Sequence, residues 1–551
     1  MDAQSALSFL PTTVINPVTA EAASTIDPNN DEKKTKQLRG KALFRAARAC
    51  YGLRRYEDAH AWLEKSKDEA LEDGAGKKEM VRVNERIKEE EGKIDFAGMV
   101  QEFDSKRERA RSEKGSGKQE GDRWAELDRA GWKGCVQRRE CADKGIGRGL
   151  FVTKAVKAGS VVLVEKAFAA LFPSVADDDE QRRTGEEIRR LRRLFGEKAM
   201  RRLERNSSLV EDFAELHSGD ADTEIGKGRA EEIDDAFVRK RILLNSFAFF
   251  PYQKDAHWNA VKKPEKEVPV TESGDGCMGI WITASFINHS CLPNVQQSMI
   301  GDMIIIRAAR DLPKDTELRL NYCGDTEDVE DRDEHLKHFG FRCTCTLCTC
   351  QRAITPKALK ARQEVYAKIV QLFEGEGSTD ISTYYELLKE LNDTFTTSCI
   401  DEPRRVLIVP AINLISACAE TSSLDTSLKE YVVRIGLLLL RGLGWEIKVN
   451  ASKFQVRRWG LLTNEVVAVL ADMWTAYGVT CPSVVRQVEK VVKTAYRIMV
   501  GEDATFEATY GGSRPSSGGL DEEVDERLMR DPDMLEVVEG MKNALGFHDS
   551  T

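Results

Sequence analysis

A cluster of cysteines near the middle of the chain constrains its folding more than any other sequence feature. The stretch CTCTLCTC places Cys343, Cys345 and Cys348 in the spacing Cys-x-Cys-x2-Cys, within one tight turn. Tetrahedral zinc prefers four soft ligands at about 2.3 Å, so this spacing predicts a structural zinc site whose binding energy becomes folding energy. These three thiolates need a fourth ligand, and Cys350 is the local candidate because it would complete a self-contained knuckle.

The overall use of cysteine agrees with a metal site. The chain has 13 cysteines, an odd number, and six of them fall within 291–350, which suits a reducing compartment better than a disulfide framework. The first residues lack the basic region of a secretory signal, and no run of 18 apolar residues predicts a membrane span. We therefore expect a protein of the nucleus or the cytoplasm with no membrane contact.

Length and charge limit the function classes. A chain of 551 residues is too long for one domain, and two to four domains are expected. The net charge of −10 argues against a protein whose main task is to coat nucleic acid, and no stripe of basic and aromatic residues indicates a zinc-finger nucleic-acid binder. An acidic chain suits a basic protein partner, such as a tail rich in lysine and arginine.

Three further blocks precede the cysteines in a fixed order. A glycine-rich turn, GIGRGLF, occupies 145–151. The stretch WITASFINHSCLPNV at 281–295 then places four polar side chains in a row, and the strand-like TELRLNYC follows at 316–323. The glycine turn opens a strand and not a helix, which disfavours a dinucleotide-binding fold.

Taken together, these blocks resemble a SET-domain protein methyltransferase. The resemblance covers about 132–350, and the helical flanks are similar to fungal tetratricopeptide–SET proteins related to the MYND-containing SET methyltransferases. It implies an S-adenosylmethionine-dependent protein-lysine methyltransferase acting on a histone or another lysine-bearing protein. The fold class implied is α+β, a SET β-fold with a helical insert and a zinc post-SET motif between helical flanks.

The resemblance also assigns roles to single residues. In SET domains with this arrangement of cysteines the fourth zinc ligand is the cysteine of the Asn-His-Ser-Cys block, here Cys291, with Cys350 as the alternative. The residues expected at S-adenosylmethionine are Gly147, Arg148, Gly149, Asn245, Asn288, His289, Tyr322 and Phe341. Glycine suits this turn because only a bare backbone approaches a ligand so closely.

Tyr322 is the expected catalytic residue, because it follows a strand where the family places its catalytic tyrosine. Free lysine has a pKa near 10.4, so its deprotonation at pH 7 costs roughly 4.6 kcal/mol. A narrow apolar channel beside a sulfonium cation lowers that pKa through desolvation and like charge. Tyr322 would orient the neutral amine, and most of the rate enhancement would come from alignment and preorganised electrostatics.

Two departures from the family bear on activity. Residues 152–276 contain no cysteine, so no MYND finger is expected there. Phe339 stands in the lysine channel where related enzymes often keep a second tyrosine, which leaves room for higher methylation states or marks weaker activity. The alternative function is therefore a SET and tetratricopeptide scaffold that binds partners and catalyses weakly or not at all.

The sequence also predicts the domain boundaries. We expect disorder over 1–34, a tetratricopeptide-like helical hairpin over 35–95 that could bind a protein partner, and a charged linker over 96–131. The SET domain follows over 132–350, with a helical insert at about 175–240. A helical, tetratricopeptide-like domain over 351–508 and a flexible acidic tail over 509–551 complete the chain.

Overall fold

The structure is a computed structural model. It describes residues 28–68, 74–113, 125–141, 147–172, 185–219, 234–262, 277–324, 328–374, 380–395, 402–421 and 426–511. The expected disorder over 1–27 and the expected flexibility of the tail over 512–551 lie outside these residues, and 28–34 belong to the first helix.

The described chain begins with four helices. They are α1 (Pro28–Gly52), α2 (Tyr56–Asp68), α3 (Gly74–Glu90) and α4 (Phe96–Glu113). The apolar faces expected on the first two helices are buried, with Ala47, Cys50 and Ala59 at most 1% exposed. Small side chains at this contact let the helices approach closely. Helix α3 adds Met80 and Val83 to the same core, so the N-terminal unit has three helices and not two.

The linker expected over 96–131 is largely a packed element. Helix α4 buries Met99, Val100 and Phe103 in the core of the central domain, and Phe96 packs against it. This stretch is highly charged, but its few apolar residues are three and four positions apart and therefore share one face of an amphipathic helix. Its charged face is paired, and Arg107 contacts Asp255 at 2.6 Å between Nη1 and Oδ2.

The central domain is built from small sheets. Its strands are β1 (Val136–Glu140), β2 (Arg148–Val152), β3 (Val161–Lys166), β4 (Ala169–Leu171), β5 (Phe247–Phe249), β6 (Cys277–Ile280), β7 (Asn288–His289), β8 (Val295–Ile300), β9 (Met303–Ala308) and β10 (Arg319–Leu320). Strands β1 and β2 pair antiparallel, β3-β9-β8 and β4-β6-β5 form three-stranded sheets, and β7 pairs with β10 in parallel. The strand expected after the glycine turn and the one expected within 316–323 are thereby confirmed as β2 and β10.

Strand β9 lies at the centre of this domain. All six of its residues are buried, because it pairs on both sides and is covered on both faces, and its run of three isoleucines is the signature of such a strand. Gly301 makes the turn from β8 to β9 with φ +57°, and a Cβ there would lie 2.3 Å from the carbonyl oxygen of Ala125. Only glycine fits this turn.

The helical insert is present within the described residues. It comprises α5 (Gly185–Arg205), the short α6 (Val210–Ala214) and α7 (Asp235–Asn245), and α8 (Gln253–Lys262) follows β5. Helix α7 starts at a capping carboxylate, since Asp234 Oδ1 accepts the Phe237 N–H at 2.7 Å. It continues to Asn245, beyond the expected end of the insert.

The cysteine-rich segment that follows β10 contains two helices, α9 (Val329–Lys337) and α10 (Thr346–Arg352). Together with 338–345 they form a flap, defined here as residues 328–352, that closes over the end of β7 and β10. Leu336 and Leu347 are the fully buried side chains of the flap, and they pack in one cluster with Cys291 of the central domain.

In its described residues the C-terminal domain is helical apart from one β-hairpin. Its helices are α11 (Pro356–Glu374), α12 (Ile381–Asp393), α13 (Ile408–Thr421), α14 (Thr426–Gly442), α15 (Asn464–Thr480), α16 (Val485–Val500) and α17 (Phe506–Tyr510). The expectation of helices alone was wrong for an antiparallel hairpin of β11 (Glu446–Asn450) and β12 (Lys453–Arg458). Apolar residues alternate with polar ones there, which is the strand period. The tetratricopeptide character of either helical unit stays a prediction.

Buried polar contacts join the C-terminal domain to the central one. Arg307 on β9 donates to the Gly501 carbonyl oxygen from Nε at 2.9 Å and from Nη2 at 2.7 Å. Its Nη1 donates to the Gly159 carbonyl oxygen at 2.9 Å. His257 on α8 bonds Asn464 and Tyr510, each at 2.9 Å. The two domains are therefore joined by hydrogen bonds that are buried away from water.

None of the helices in the described parts of the chain is long and apolar enough to cross a lipid bilayer.

Candidate functional site

Four cysteines converge where the flap meets the central domain. The sulfur atoms of Cys291, Cys343, Cys345 and Cys348 all lie within 4.8 Å of one another. The Cys291 sulfur is 3.8 Å from that of Cys343 and 3.4 Å from that of Cys348. Ligands on a tetrahedron of 2.3 Å bonds lie about 3.8 Å apart, so this cluster has the dimensions of a four-thiolate metal site. Cys350, the alternative fourth ligand, is not part of this group.

Hydrogen bonds within the cluster shift the pKa values of its thiols in opposite directions. Those with Cys323 and the other cysteines raise the pKa of Cys291; the bond to Cys291 lowers the pKa of Cys348, but those to Cys343 and Cys345 outweigh it and raise it. Hydrogen bonds from Cys291 lower the pKa of Cys343 and lower the pKa of Cys345 to about 6. Arg332 on α9 is 1% exposed and places Nη2 3.6 Å from the Cys348 sulfur. A buried guanidinium beside four sulfurs offsets the negative charge that a four-thiolate zinc site retains.

The glycine turn forms the second part of the site. Gly145 and Ile146 lie outside the described residues, while Gly147 has φ +74° and leads into β2. Gly149 lies against Glu317, where a Cβ would come within 2.6 Å of Oε1. Gly147 is thus favoured by its positive φ, whereas a side chain at Gly149 would have to displace the side chains of Glu317, Cys141 and Asn288.

Asn288 reaches this turn from β7. Its Nδ2 donates to Glu317 Oε1 at 2.9 Å and to the carbonyl oxygen of Arg148 at 3.2 Å. The Cys141 sulfur also lies 3.4 Å from the same nitrogen. The structure thus brings together the turn and the Asn-His-Ser-Cys block, which are about 140 positions apart in the chain.

Two of the expected cofactor residues use their side chains elsewhere. The guanidinium of Arg148 bonds Glu215 after α6, with Nη1 3.3 Å from Oε1, and lies over the Phe286 ring. Asn245 ends α7 and donates its amide to the carbonyl oxygens of His217 at 2.8 Å and Arg241 at 2.7 Å. These contacts orient the insert, so any contact of either residue with a cofactor would use other atoms.

His289 lies between the cysteine cluster and Tyr322. It is 6% exposed, its Nε2 is 3.2 Å from the Cys291 sulfur, and its Nδ1 accepts the backbone N–H of Tyr322 at 3.0 Å. An imidazole nitrogen that accepts an N–H carries no proton, so in the neutral ring the proton lies on Nε2 and points at the sulfur. The side chain is therefore occupied within the protein.

The Tyr322 hydroxyl points back into the central domain. It donates to the carbonyl oxygen of Ile287 at 2.6 Å, and burial raises the pKa of Tyr322. The phenol therefore stays protonated at neutral pH. Because its hydrogen is committed to a carbonyl, its oxygen lone pairs remain available to a donor that approaches from the other side.

Aromatic rings surround Tyr322 on the flap side. The centroid of Phe339 lies 5.2 Å from that of Tyr322, and His335 lies 6.0 Å from Phe339. Phe341 lies 5.9 Å from His289 and is 39% exposed. Phe339 and Tyr322 are thus neighbours, and Phe341 presents an accessible ring on the other side of His289.

Sequence reasoning missed three polar residues that organise this site. Glu317 accepts from Asn288 and pairs with Arg319 at 2.6 Å. Asn294, which is 3% exposed, donates to the Glu317 carbonyl oxygen at 2.7 Å and accepts the Arg319 N–H at 2.8 Å. The available signal was the polar alternation of TELRLNY, in which a half-buried strand end carries charged residues on one side.

A comparison with protein families covers part of this arrangement. Residues 147–323 match the family model of the SET domain. The match begins at the glycine turn and ends just after Tyr322, so it includes Asn288, His289 and Cys291 but not the flap. The resemblance to SET domains inferred from the sequence is therefore confirmed for this segment of the chain.

Individual relatives extend this finding. A protein named methyltransferase from Gibberella zeae is 28% identical over 489 residues, which are 85% of this chain and 63% of that relative. The histone-lysine N-methyltransferase SET5 of Yarrowia lipolytica is 39% identical over 77 residues, 13% of this chain and 17% of that protein. The chain thus spans less than two thirds of each of these relatives.

Among solved structures, the SET domain of LSMT bound to lysine and AdoHcy aligns with 80% of this chain and 100% of its own, at 10% identity and a TM-score of 0.18. A superposition at this score adds nothing to the family match.

Proposed function

We propose that this protein is an S-adenosylmethionine-dependent protein-lysine methyltransferase. The observation that carries the proposal is the convergence of the bare Gly147–Gly149 turn, Asn288 and Tyr322 within a SET domain. The relatives named as histone-lysine methyltransferases support a lysine on a protein as the acceptor. A nuclear or cytoplasmic location is proposed on the same ground.

The residues of the turn fit the proposed cofactor. Bound S-adenosylmethionine supplies an activated methyl group on a sulfonium sulfur. Gly147 and Gly149 would let it lie against the backbone, while Asn288 and Phe341 would contact its polar and aromatic parts. Asn245 and Arg148 would contribute through backbone atoms or by orienting the insert, since their side-chain donors already bond the protein.

Tyr322 would act on the lysine. Its oxygen can accept a hydrogen bond from the amine, since its own hydrogen goes to Ile287. The rings of Tyr322 and Phe339 supply apolar surface that desolvates the amine and so favours its neutral, nucleophilic form. The hydroxyl is fixed before the substrate arrives, so it needs no reorganisation during the reaction.

The four cysteines would hold zinc. Their spacing fits tetrahedral coordination, and the ion would join the flap to β7 through Cys291. Because the flap carries Phe339 and Phe341, zinc would complete the channel as well as stabilise the fold.

The proposal is tested by methyl transfer from labelled S-adenosylmethionine to proteins of a cell extract, with mass spectrometry of the modified sites. Methylated lysine that depends on the added protein is expected. Absence of transfer, together with absence of cofactor binding at millimolar concentration in calorimetry, would favour the alternative. That alternative is a SET scaffold binding partners through its helical units, and the phenyl ring of Phe339 beside Tyr322 is what favours it.

A further inference from the structure

We propose that the His289 side chain is a positioning residue that couples the four-cysteine site to Tyr322. This inference deepens the proposed function and rests on it for its catalytic consequence. Its structural part stands independently, because it concerns only how one peptide group is held.

The first step is the path of contacts. The Cys291 sulfur is 3.2 Å from His289 Nε2, and His289 Nδ1 is 3.0 Å from the backbone nitrogen of Tyr322. The backbone N–H fixes the tautomer, so one ring nitrogen accepts and the other donates. A single imidazole thus connects a metal ligand to the main chain of the proposed catalytic residue.

The second step is why Tyr322 needs this contact. Strand β7 pairs with β10 only over two residues, with His289 opposite Leu320. The last ladder bond runs from the Ser290 N–H to the Leu320 carbonyl oxygen at 2.8 Å. Tyr322 lies beyond this point, and the His289 ring provides its N–H with an acceptor in place of a neighbouring strand. The backbone position of Tyr322 is therefore set by a side chain.

The third step is what holds the ring itself. His289 is 6% exposed and lies between two aromatic rings, with Tyr322 at 5.2 Å and Phe341 at 5.9 Å between centroids. The contact of Nε2 with the Cys291 sulfur prevents the ring from rotating, and that sulfur is part of the four-cysteine cluster. Dispersal of the cluster would release the sulfur, then the ring, and then the Tyr322 N–H. Such outer contacts orient groups around metal sites in general.

The decisive variant is His289→Phe, which keeps a ring between its neighbours and removes both nitrogens. His289→Gln serves as a second variant that keeps polar atoms if the first does not fold. His338→Phe is the matched control, since His338 is an exposed histidine of the flap. The Tyr322 amide is followed by hydrogen exchange in 15N-tyrosine-labelled protein, and the signal missing from Tyr322→Phe identifies it.

We expect His289→Phe to speed exchange of the Tyr322 amide about tenfold, as for the loss of one buried hydrogen bond. Removing zinc from the wild type with a chelator should speed it by a similar factor. Chelation of His289→Phe should add little more, because the contact that transmits the change is already gone. His338→Phe should respond to chelation as the wild type does.

Kinetics separate positioning from folding. His289→Phe should retain one zinc per chain and a cofactor Kd within about twofold of wild type, while kcat falls about tenfold and KM hardly moves. Unchanged exchange in His289→Phe and His289→Gln would overturn the coupling. So would an equal effect of chelation on the wild type and His289→Phe, or a wild type that binds no zinc. A wild type without methyl transfer would overturn the proposed function alone, since the exchange measurements still decide the coupling.

Discussion

At the scale of single residues, the Tyr322 hydroxyl shows how a common side chain becomes a specific group. Its hydrogen is fixed on the Ile287 carbonyl oxygen at 2.6 Å, and burial raises the pKa of Tyr322. In the proposed reaction it would therefore act as an oriented dipole and not as a base. A group of this kind stabilises a transition state more than it stabilises bound cofactor.

The first prediction follows from that geometry. Tyr322→Phe should lower turnover roughly a hundredfold, the order seen when one preorganised hydrogen-bonding group is lost. Cofactor affinity should change little, which calorimetry would measure beside the methyl-transfer assay. Tyr384→Phe, in the buried core of the C-terminal domain, is the control that should keep full turnover. Full turnover in Tyr322→Phe would remove this hydroxyl from the mechanism.

Phe339 gives the second prediction. Its ring lies 5.2 Å from that of Tyr322, so a hydroxyl added at this position enters the same channel. Phe339→Tyr should shift the product toward fewer methyl groups, because a second oxygen restrains the amine and crowds a methylated nitrogen. Mass spectrometry of the product states would measure this shift. An unchanged distribution would mean that Phe339 does not line the lysine channel.

At the scale of elements, the flap depends on four sulfur atoms for its attachment. Helices α9 and α10 are short, and short helices owe their stability to tertiary contacts. Leu336 and Leu347 provide a small core, and Arg332 compensates charge beside the cysteines. A metal ion at the cluster would supply most of the free energy that orders this segment.

The third prediction tests that dependence. Cys345→Ser should release zinc and make 328–352 exchange faster, because three remaining thiolates no longer fill the tetrahedron. Cys350→Ser is the matched control and should keep one zinc per chain, since Cys350 lies outside the group of four. Elemental analysis of freshly reduced protein measures both. A Cys291→Ser variant with undiminished zinc affinity would instead point to Cys350.

At the scale of the whole molecule, the central and C-terminal domains share buried polar contacts. Such an interface gains stability only while every group is satisfied, because an unpaired polar atom is costly where water is excluded. Arg307 and His257 are both at most 4% exposed, and each bonds across the interface. The C-terminal helices therefore support strand β9 and helix α8 directly.

The fourth prediction concerns Arg307. Arg307→Met should lower the free energy of unfolding by about 2–4 kcal/mol, because it leaves the carbonyl oxygens of Gly501 and Gly159 without their donor. Denaturant titration would measure the loss. Lys157→Met, at an exposed ion pair with Asp311, should cost less than about 1 kcal/mol. Equal effects of the two changes would contradict the role of Arg307 in joining the domains.

The fifth prediction concerns pH. Burial lowers the pKa of His257, so the folded state binds this proton less readily than the unfolded state does. The stabilisation is complete above the unfolded pKa of about 6.5 and is lost as the pH falls from there through the folded pKa. Its contacts are Asn464, Tyr510 and the Tyr496 ring, none of which is charged at these pH values.

Thermal unfolding from pH 7.5 to 5 would test this dependence. Wild type should lose up to about 1.4 kcal/mol per pH unit more than His257→Gln within that window. His338→Gln changes an exposed histidine and should follow the wild type. Parallel curves for wild type and His257→Gln would show that His257 does not contribute.

What the sequence alone determined was local. The spacing of Cys343, Cys345 and Cys348, the isoleucines of β9 and the bare glycine turn each state a chemical or steric requirement within a few residues of chain. The requirement depends only on residues close together in the chain, so the motif alone predicts a strand, a turn or a metal site. The order of such blocks then sufficed for the SET resemblance, and the family model matches 147–323, which holds every block except the cysteine cluster.

What only the tertiary structure decided was which distant groups meet. It places Cys291, and not Cys350, with the other three sulfurs. It makes helix α4 part of the central core, and it commits the side chains of Arg148 and Asn245 to the insert. It also makes Glu317 the hydrogen-bond acceptor of Asn288, and His289 the acceptor of the Tyr322 backbone N–H. Burial and hydrogen bonding depend on which surfaces face each other once all elements pack. The local sequence pattern around each residue does not determine which distant residues it will contact.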